Sequence, residues 1–404
     1  MKQAVITGMG AVSPYGRSVS ALWDGLLSGQ AALRPTALFD ASAFRNPVVG
    51  AVDGYPSCPP EPLPRSTRML LDAVEEALRS TLNNAVGGGR VELREALKEQ
   101  GWNDVALILG SNFGGLEILE RKLTAEPPQA DLTQALFGAA ARETAVAFGL
   151  HGSRMNVSLS CASGAAAIGL GRDLIRSGRA QVAVVAGYDA LSLYCIAGLN
   201  ALRAITPDVV RPFDRRRQGT IFAEGAGAVI LEEETQARLR GARLRGAVSG
   251  AATNNDAFHL TAPDKEEKGR LALLKAVLAD AACRPESVDL FNLHATGTKY
   301  NDAGETKILL EVFGPRAKKI PVTAVKSAIG HTMGAAGVLE SIVAIRSLET
   351  GLAPPVLGLD PAELDLECAL NIPVGAPAQG TFRRALKLSA GFGGTNAALI
   401  LSAI

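Results

Sequence analysis

Cys161 is the first residue in this chain whose setting suggests chemistry. The segment MNVSLSCASGAAAIGLGRDLIRSGRA reads as a strand, a sharp turn and a helix, with Cys161 at the turn. A thiol at a helix N-terminus meets the positive end of the helix dipole and free amide donors. Both draw its pKa below the ordinary value of about 8.5. The thiolate attacks a thioester carbonyl, and the cysteine's own N–H can hold the resulting oxyanion. Free cysteine is also among the most buried residue types, so this segment alone leaves a small core residue as an equal alternative. Two further segments shift the balance. His294 in FNLHATGTKYND and His331 in VKSAIGHTMGAAG each follow an apolar run and lie in a glycine- and threonine-rich loop. Histidine titrates near neutrality and offers a donor and an acceptor, which suits thiol activation, enolate stabilisation or proton transfer. Lys326 precedes His331 in the same segment, and Glu305 follows His294 closely enough to pair with that lysine, as a buried lysine requires.

These residues need a scaffold that delivers three loops to one place. Short apolar runs at 4–7, 105–109, 155–159, 181–186, 226–231, 288–293, 321–325, 386–388 and 397–401 each close on glycine or a polar turn. Their continuous apolar character suits strands covered on both faces. Helical stretches at 68–81, 162–177, 269–282, 303–313 and 335–349 alternate with them, which predicts an α/β protein. Loops at strand C-terminal ends are where such folds place their chemistry. The stretch 82–90 (LNNAVGGGR) reads as a surface loop, 232–245 as a charged helix and a bridge, and 264–270 as the opening of a helix. The nucleophile segment SLSCASGAAAIG is echoed by TAVKSAIGHTMGAAG, which predicts two related halves, 1–247 and 248–404.

Composition narrows the function classes. The 404 residues include 47% hydrophobic and 20% charged residues, a globular profile large enough for more than one core. The formal net charge of +1 predicts neither a nucleic-acid nor a membrane partner. The five cysteines, Cys58, Cys161, Cys195, Cys283 and Cys368, form no CxxC and make neither a disulfide framework nor a zinc site. That usage fits a reducing compartment, and the glycine-broken AVITGMGAVSP reads as a first strand rather than a signal peptide. A soluble, cytoplasmic protein without a bound metal is expected. GMGAVS also breaks the glycine pattern of a dinucleotide fingerprint.

The segments CASG, RPFDRRRQG with AEGAGAVILE, NNDAFHLTAPD, HATGTKYND, KSAIGHTMGAAG and GFGGTNAALIL, in this order along the whole chain, resemble the elongating β-ketoacyl-acyl carrier protein synthases. The resemblance implies a thiolase-like fold, layered αβαβα from two similar halves. It implies a decarboxylative Claisen condensation. An acyl group moves to Cys161, malonyl-acyl carrier protein loses carbon dioxide, and its carbanion attacks the acyl-enzyme. His294 and His331 would then stabilise the enolate, and Lys326, paired with Glu305, would fix loop geometry and local field. Phe392 of GFGG would gate the site and complete the oxyanion hole. Thr296 and Thr298 would hold the pantetheine amides, while Asp256 and His259 would belong to a second mobile loop. The resemblance implies no bound cofactor, the phosphopantetheine arriving on the acyl carrier protein. It also implies a homodimer, with a heterodimer alongside a chain-length partner as the alternative. Arg65, Arg68, Arg215, Arg216 and Arg217 are the expected docking cations for the acidic carrier.

The chain departs from housekeeping fatty-acid synthases in places. The stretch before RPFD is short, AEGAG stands for the commoner GEGAG, and GLNALRAI resembles synthases that build polyenes. Phe113 in SNFGG stands where a smaller residue lines the acyl pocket, which predicts short or flat, rigid acyl chains. A non-condensing acyltransferase on the same fold is the competing reading. A thiolase that cleaves fits less well, because it would use a second catalytic cysteine.

Overall fold

The computed structural model describes residues 2–55, 63–83, 85–102, 104–124 and 131–404. Cys58 lies outside the described residues. The strands of the main sheet are β1 (Ala4–Val12), β2 (Ala106–Gly110), β3 (Arg154–Val157), β4 (Val182–Asp189), β5 (Gly225–Glu233), β6 (Gly246–Asn255), β7 (Leu290–Asn292), β8 (Val322–Thr323), β9 (Arg384–Gly391) and β10 (Thr395–Ser402). They form one 10-stranded sheet in the order β8-β7-β9-β10-β6-β1-β5-β4-β2-β3. Its centre is narrow, since β1 meets β6 only through Val5 with Ala247 and Ile6 with Gly246.

On either side of that junction the same topology repeats. In the first half β1 and β4 flank β5 antiparallel, and β4 and β3 flank β2 parallel. In the second half β6 and β9 flank β10 antiparallel, and β9 and β8 flank β7 parallel. Under this correspondence β3, which leads to Cys161, matches β8, which leads to Lys326 and His331. The echo between their sequences therefore lies at equivalent places in the fold.

Alternating residues of each strand face opposite layers, as the two-residue period of a strand requires. Ala106, Ile108, Ala183 and Val185 from one half, and Ala385, Ala397 and Leu399 from the other, share a buried cluster with α3 (Ser163–Arg176) and α6 (Ala336–Thr350). Leu107, Leu109, Val184 and Ala186 turn the other way, onto α1 (Arg65–Thr81) and α2 (Phe137–Phe148). Phe291, Leu386, Leu388 and Ile400 face α4 (Lys268–Asp280) and α5 (Lys299–Phe313). This is the αβαβα layering, and with both sheet faces covered it explains why the strands read as unbroken apolar runs. The central helices meet backbone to backbone. A Cβ on Gly337 of α6 would lie 2.2 Å from the Ala165 amide of α3.

One strand is unexpected and one helix is shorter than expected. β6 (GAVSGAATNN) has few large apolar residues and was not among the expected strands, and the division between 247 and 248 falls inside it. The charged helix expected over 232–245 is only Glu234–Leu239, because its first residues extend β5. Among the described residues, no helix is long and apolar enough to cross a membrane.

Candidate active site

The nucleophile turn is held by its own side chains. Ser160, just before Cys161, has φ +50, a left-handed conformation unfavourable for a residue with a Cβ. Ser163 Oγ donates to the Ser160 carbonyl at 2.6 Å and accepts from the Leu159 amide at 2.8 Å. Thr395 Oγ1 donates to the Leu159 carbonyl at 2.9 Å. The same left-handed strain recurs at the other two loops, in Ala295 after His294 (φ +40) and in Met333 after His331 (φ +53). Strain of this kind persists only where surrounding contacts over-determine it, and it gathers at functional sites.

Each loop has such contacts. Glu305 on α5 accepts from the backbone N–H groups of His294 (2.7 Å) and Ala295 (2.8 Å). Asp302, one turn earlier, accepts from Gly297 and Phe213. Asp189, at the end of β4, accepts from the amides of Asn112, Phe113 and Gly334 and from the Ser111 hydroxyl. Burial raises the Asp189 carboxyl to about 6 against these opposing hydrogen bonds. One buried acid thus ties the Phe113 loop to the His331 loop.

The three loops open on one cavity of about 350 Å³, which Cys161, His294 and His331 line together with Thr296, Thr298, Asp256 and Phe392. The His294 and His331 rings meet edge to face, 5.2 Å between centroids, and Phe222 stacks on His331. His331 Nδ1 accepts from the Met333 amide at 3.2 Å. His294 Nδ1 lies 3.3 Å from the Lys326 ammonium, which can only donate. With both Nδ1 atoms acting as acceptors, the hydrogen-bond network leaves Nε2–H on each ring as its donor. Burial and then the Lys326 charge hold both rings well below the ordinary histidine range, so both are neutral. The site therefore presents neutral N–H donors that do not lose a charge when they bind a developing anion.

Three sequence expectations change. Lys326 does not pair with Glu305. Its Nζ donates to Glu340 of α6 and to the His294 carbonyl (2.6 Å), because Glu305 is taken up by backbone amides. Cys161 is 7% exposed, and burial pushes its thiol up to about 11 despite the Ser160 hydroxyl and the Lys326 charge. A lowered thiol was expected from the helix dipole, but desolvation is the larger effect here. Arg65 and Arg217 are buried and cannot meet a partner: Arg65 is paired with Glu224 and Arg217 with Asp365. Arg215 and Arg216 are exposed but paired with Glu363 and Asp214, and Arg68 is half-buried beside the Tyr55 ring.

The remaining residues fall on either side of the cavity wall. His259 is exposed and caps its own loop, its Nδ1 accepting from Thr261 and Ala262, and it does not line the cavity. Phe113 is half-buried in the apolar cluster behind the cavity, with Met333, Phe222, Ile196 and Phe392. Thr296 and Thr298 face each other with their hydroxyls 2.9 Å apart. The sequence reading missed Glu340 and Lys387. A lone acid in GVLESIVAI and a lone lysine in ALKLSA, each inside an apolar run, were the available signals.

Comparison with known proteins agrees with this arrangement. Residues 1–237 match the β-ketoacyl synthase N-terminal domain and residues 245–360 the C-terminal domain. The chain is 30% identical to a 3-oxoacyl-[acyl-carrier-protein] synthase 2 of Coxiella burnetii, covering 100% of this chain and 99% of the relative. It is 31% identical to the tetracenomycin polyketide synthase ketoacyl synthase alpha subunit of Streptomyces glaucescens, covering 99% and 97%. Among solved structures, the ishigamide ketosynthase/chain length factor superposes with a TM-score of 0.88 at 30% identity, covering 100% and 99%. Another is a type II polyketide synthase acyl-carrier protein in complex with its ketosynthase bound to the hexaketide, with a TM-score of 0.83 at 25% identity over 100% of both chains. With a thiol and two neutral imidazoles converging on one cavity at the ends of matching strands, and both domain models matched in order, this chain belongs to the β-ketoacyl synthase family.

Proposed function

We propose that the chain condenses an acyl group with malonyl-acyl carrier protein, and we assign the steps to its residues as follows. The Cys161 sulfur forms a thioester with the acyl carbonyl as the bond to pantetheine sulfur breaks, and the thiol proton leaves on that departing sulfur. The malonyl thioester then enters. Its carboxylate departs as carbon dioxide, and the electron pair left behind is held as an enolate whose oxygen accepts from His294 and His331 Nε2–H. The enolate carbon attacks the acyl-Cys161 carbonyl, whose oxyanion lies between the Cys161 and Phe392 amides; as it collapses the carbon–sulfur bond to Cys161 breaks, the thiolate regains a proton from solvent, and β-ketoacyl-carrier protein leaves. The observation that carries this reading is the pair of neutral, edge-to-face histidines beside the thiol. Donors fixed before the charge develops stabilise the transition state over the ground state. Support for the Phe392 role comes from Gly391, where a Cβ would lie 2.8 Å from the Cys161 amide, so this strand end already abuts the nucleophile.

Phosphopantetheine arrives on the acyl carrier protein, and its amides meet Thr296 and Thr298. Docking falls to Arg68, Arg215 and Arg216 together with Arg203, an exposed cation that lines the cavity. The functional halves are 1–247 and 248–404, the division falling near the start of β6. The chain works in the cytoplasm as a dimer with a second synthase-fold subunit. Phe113 limits the acyl channel to short or flat chains.

The test is to incubate the protein with malonyl-carrier protein and acyl-carrier proteins of graded length, and to follow products by mass spectrometry beside Cys161→Ala and Phe113→Ala. A β-ketoacyl product that requires Cys161, with longer chains accepted by Phe113→Ala, is expected. If no acyl adduct forms on Cys161 with any donor, alone or with a partner subunit, the condensation reading fails.

A further inference from the structure

Behind the two histidines lies a buried ionic cluster that the reaction steps above leave unused in part. Lys387, on β9, has 0% side-chain exposure, and Glu340 and Lys326 are almost as buried. Glu340 is held between the two ammonium groups. One oxygen accepts from Lys326 and the other lies 2.7 Å from Lys387. Lys387 also donates to the Ser389 hydroxyl at 3.0 Å and to the Leu388 carbonyl. Lys326 continues from Glu340 to the carbonyl and Nδ1 of His294. Glu305 brings the second carboxylate, on the amides of His294 and Ala295.

Two lysines against two glutamates sum to zero charge. A buried set of this kind is tolerated only when balanced and hydrogen-bonded. Lys387 touches neither cavity nor nucleophile, so it acts at a distance, by its own charge and through its hold on Glu340. The groups facing this cluster are Lys326 and the two histidines on their loops, Glu340 on α6, Glu305 on α5 and Arg270 on α4, with Lys387 itself on β9. Resting on the condensation reading, we propose that Lys387 is a positioning residue for decarboxylation. It balances the Lys326–Glu340–Glu305 cluster and so keeps His294 and His331 as neutral N–H donors. Without it the cluster carries one negative charge, and His294, which lines the cavity beside Lys326, is a base there that a proton can reach. Lys387 also lies among the positive charges that lower both histidines.

A charge cycle with two independent readouts tests this. Lys387→Met makes the cluster negative, Glu340→Gln makes it positive, and the double variant restores neutrality while lacking the clamp. Ring ¹⁵N shifts of His294 and His331 would be followed against pH in each protein, alongside the pH profile of malonyl-carrier protein decarboxylation. The expected result in Lys387→Met is a His294 midpoint, and an acid limb of kcat, displaced upward by about one pH unit, the scale of a lost near charge. The double variant returns toward wild type. If Lys387→Met does not fold, the double variant compared with Glu340→Gln shows the same upward displacement. Titrations that superimpose, or a rate loss uniform across pH and worse in the double variant, overturn the proposal. The ring titrations need no turnover, so they decide the role of Lys387 even if the wild type yields no β-ketoacyl product.

Discussion

Cys161 carries two opposing influences, the N-terminal end of α3 and nearly complete burial, and burial prevails at about 11. The resting residue is therefore a thiol at neutral pH. Its thiolate fraction rises about tenfold per pH unit until the pKa is reached. Alkylation by iodoacetamide, followed as the mass adduct on Cys161, is expected to accelerate about tenfold per unit from about pH 7 to about 9. A rate that levels off below about pH 8 would show that the helix end outweighs burial after all. That Cys161, His294 and His331 would meet in one site was legible because each is a rare residue type at a small-residue turn after an apolar run. The partner of Lys326 was not. Glu305 is close to His294 in sequence, but a carboxylate with two amide donors at 2.7 and 2.8 Å has no need of a lysine. Glu340 reaches Lys326 from a helix whose sequence otherwise reads as core.

The site's geometry depends on how closely the two central helices approach. A Cβ at Gly337 would sit 2.2 Å from the Ala165 amide and 2.9 Å from the Gly164 carbonyl carbon, backbone that cannot swing aside. Alanine normally favours a helix over glycine by about 0.5–1 kcal/mol. At Gly337 that sign should reverse, with Gly337→Ala destabilising by about 1–3 kcal/mol as overpacking does. Gly198, in the helix Leu193–Ala201, has nothing within 4 Å of its Cβ position and is the control, expected to gain stability as Gly198→Ala. Urea unfolding of both variants checks the pair, and a stabilised Gly337→Ala would mean the helices can part. At this scale the strands were readable wherever large aliphatics run together. β6 was not, because its Gly246, Gly250, Ala251 and Ala252 leave room for neighbours, and a Cβ on Gly250 would lie 2.7 Å from that of Ala281. The helix α2 (Phe137–Phe148) also went unread, since its alanines give little contrast between faces.

Among the described residues, one end of the main sheet is unprotected. β8 ends the sheet as buried strand, whereas β3 at the other end alternates exposed and half-buried residues. The Ser153 carbonyl accepts from Leu107 of β2 and the Val157 carbonyl from Ser111 just beyond it, so alternate residues at 154 and 156 turn their backbone groups outward. Val146, 65% exposed, lies on α2, which packs against this edge. An open edge is a template for another chain. Sedimentation of the purified protein at micromolar concentration is expected to give a dimer, and Asn156→Pro to shift it toward monomer. Proline there removes only an outward N–H and leaves the ladder with β2 intact, so the variant should keep its fold by circular dichroism. A wild-type monomer that becomes a dimer only when co-expressed with a chain-length subunit would assign the edge to a heteromeric partner. A dimer indifferent to Asn156→Pro would place the interface elsewhere. The same edge strand runs directly into Ser160 and Cys161, so whatever pairs with it also braces the nucleophile turn. Activity should therefore fall with dimer content rather than with loss of fold.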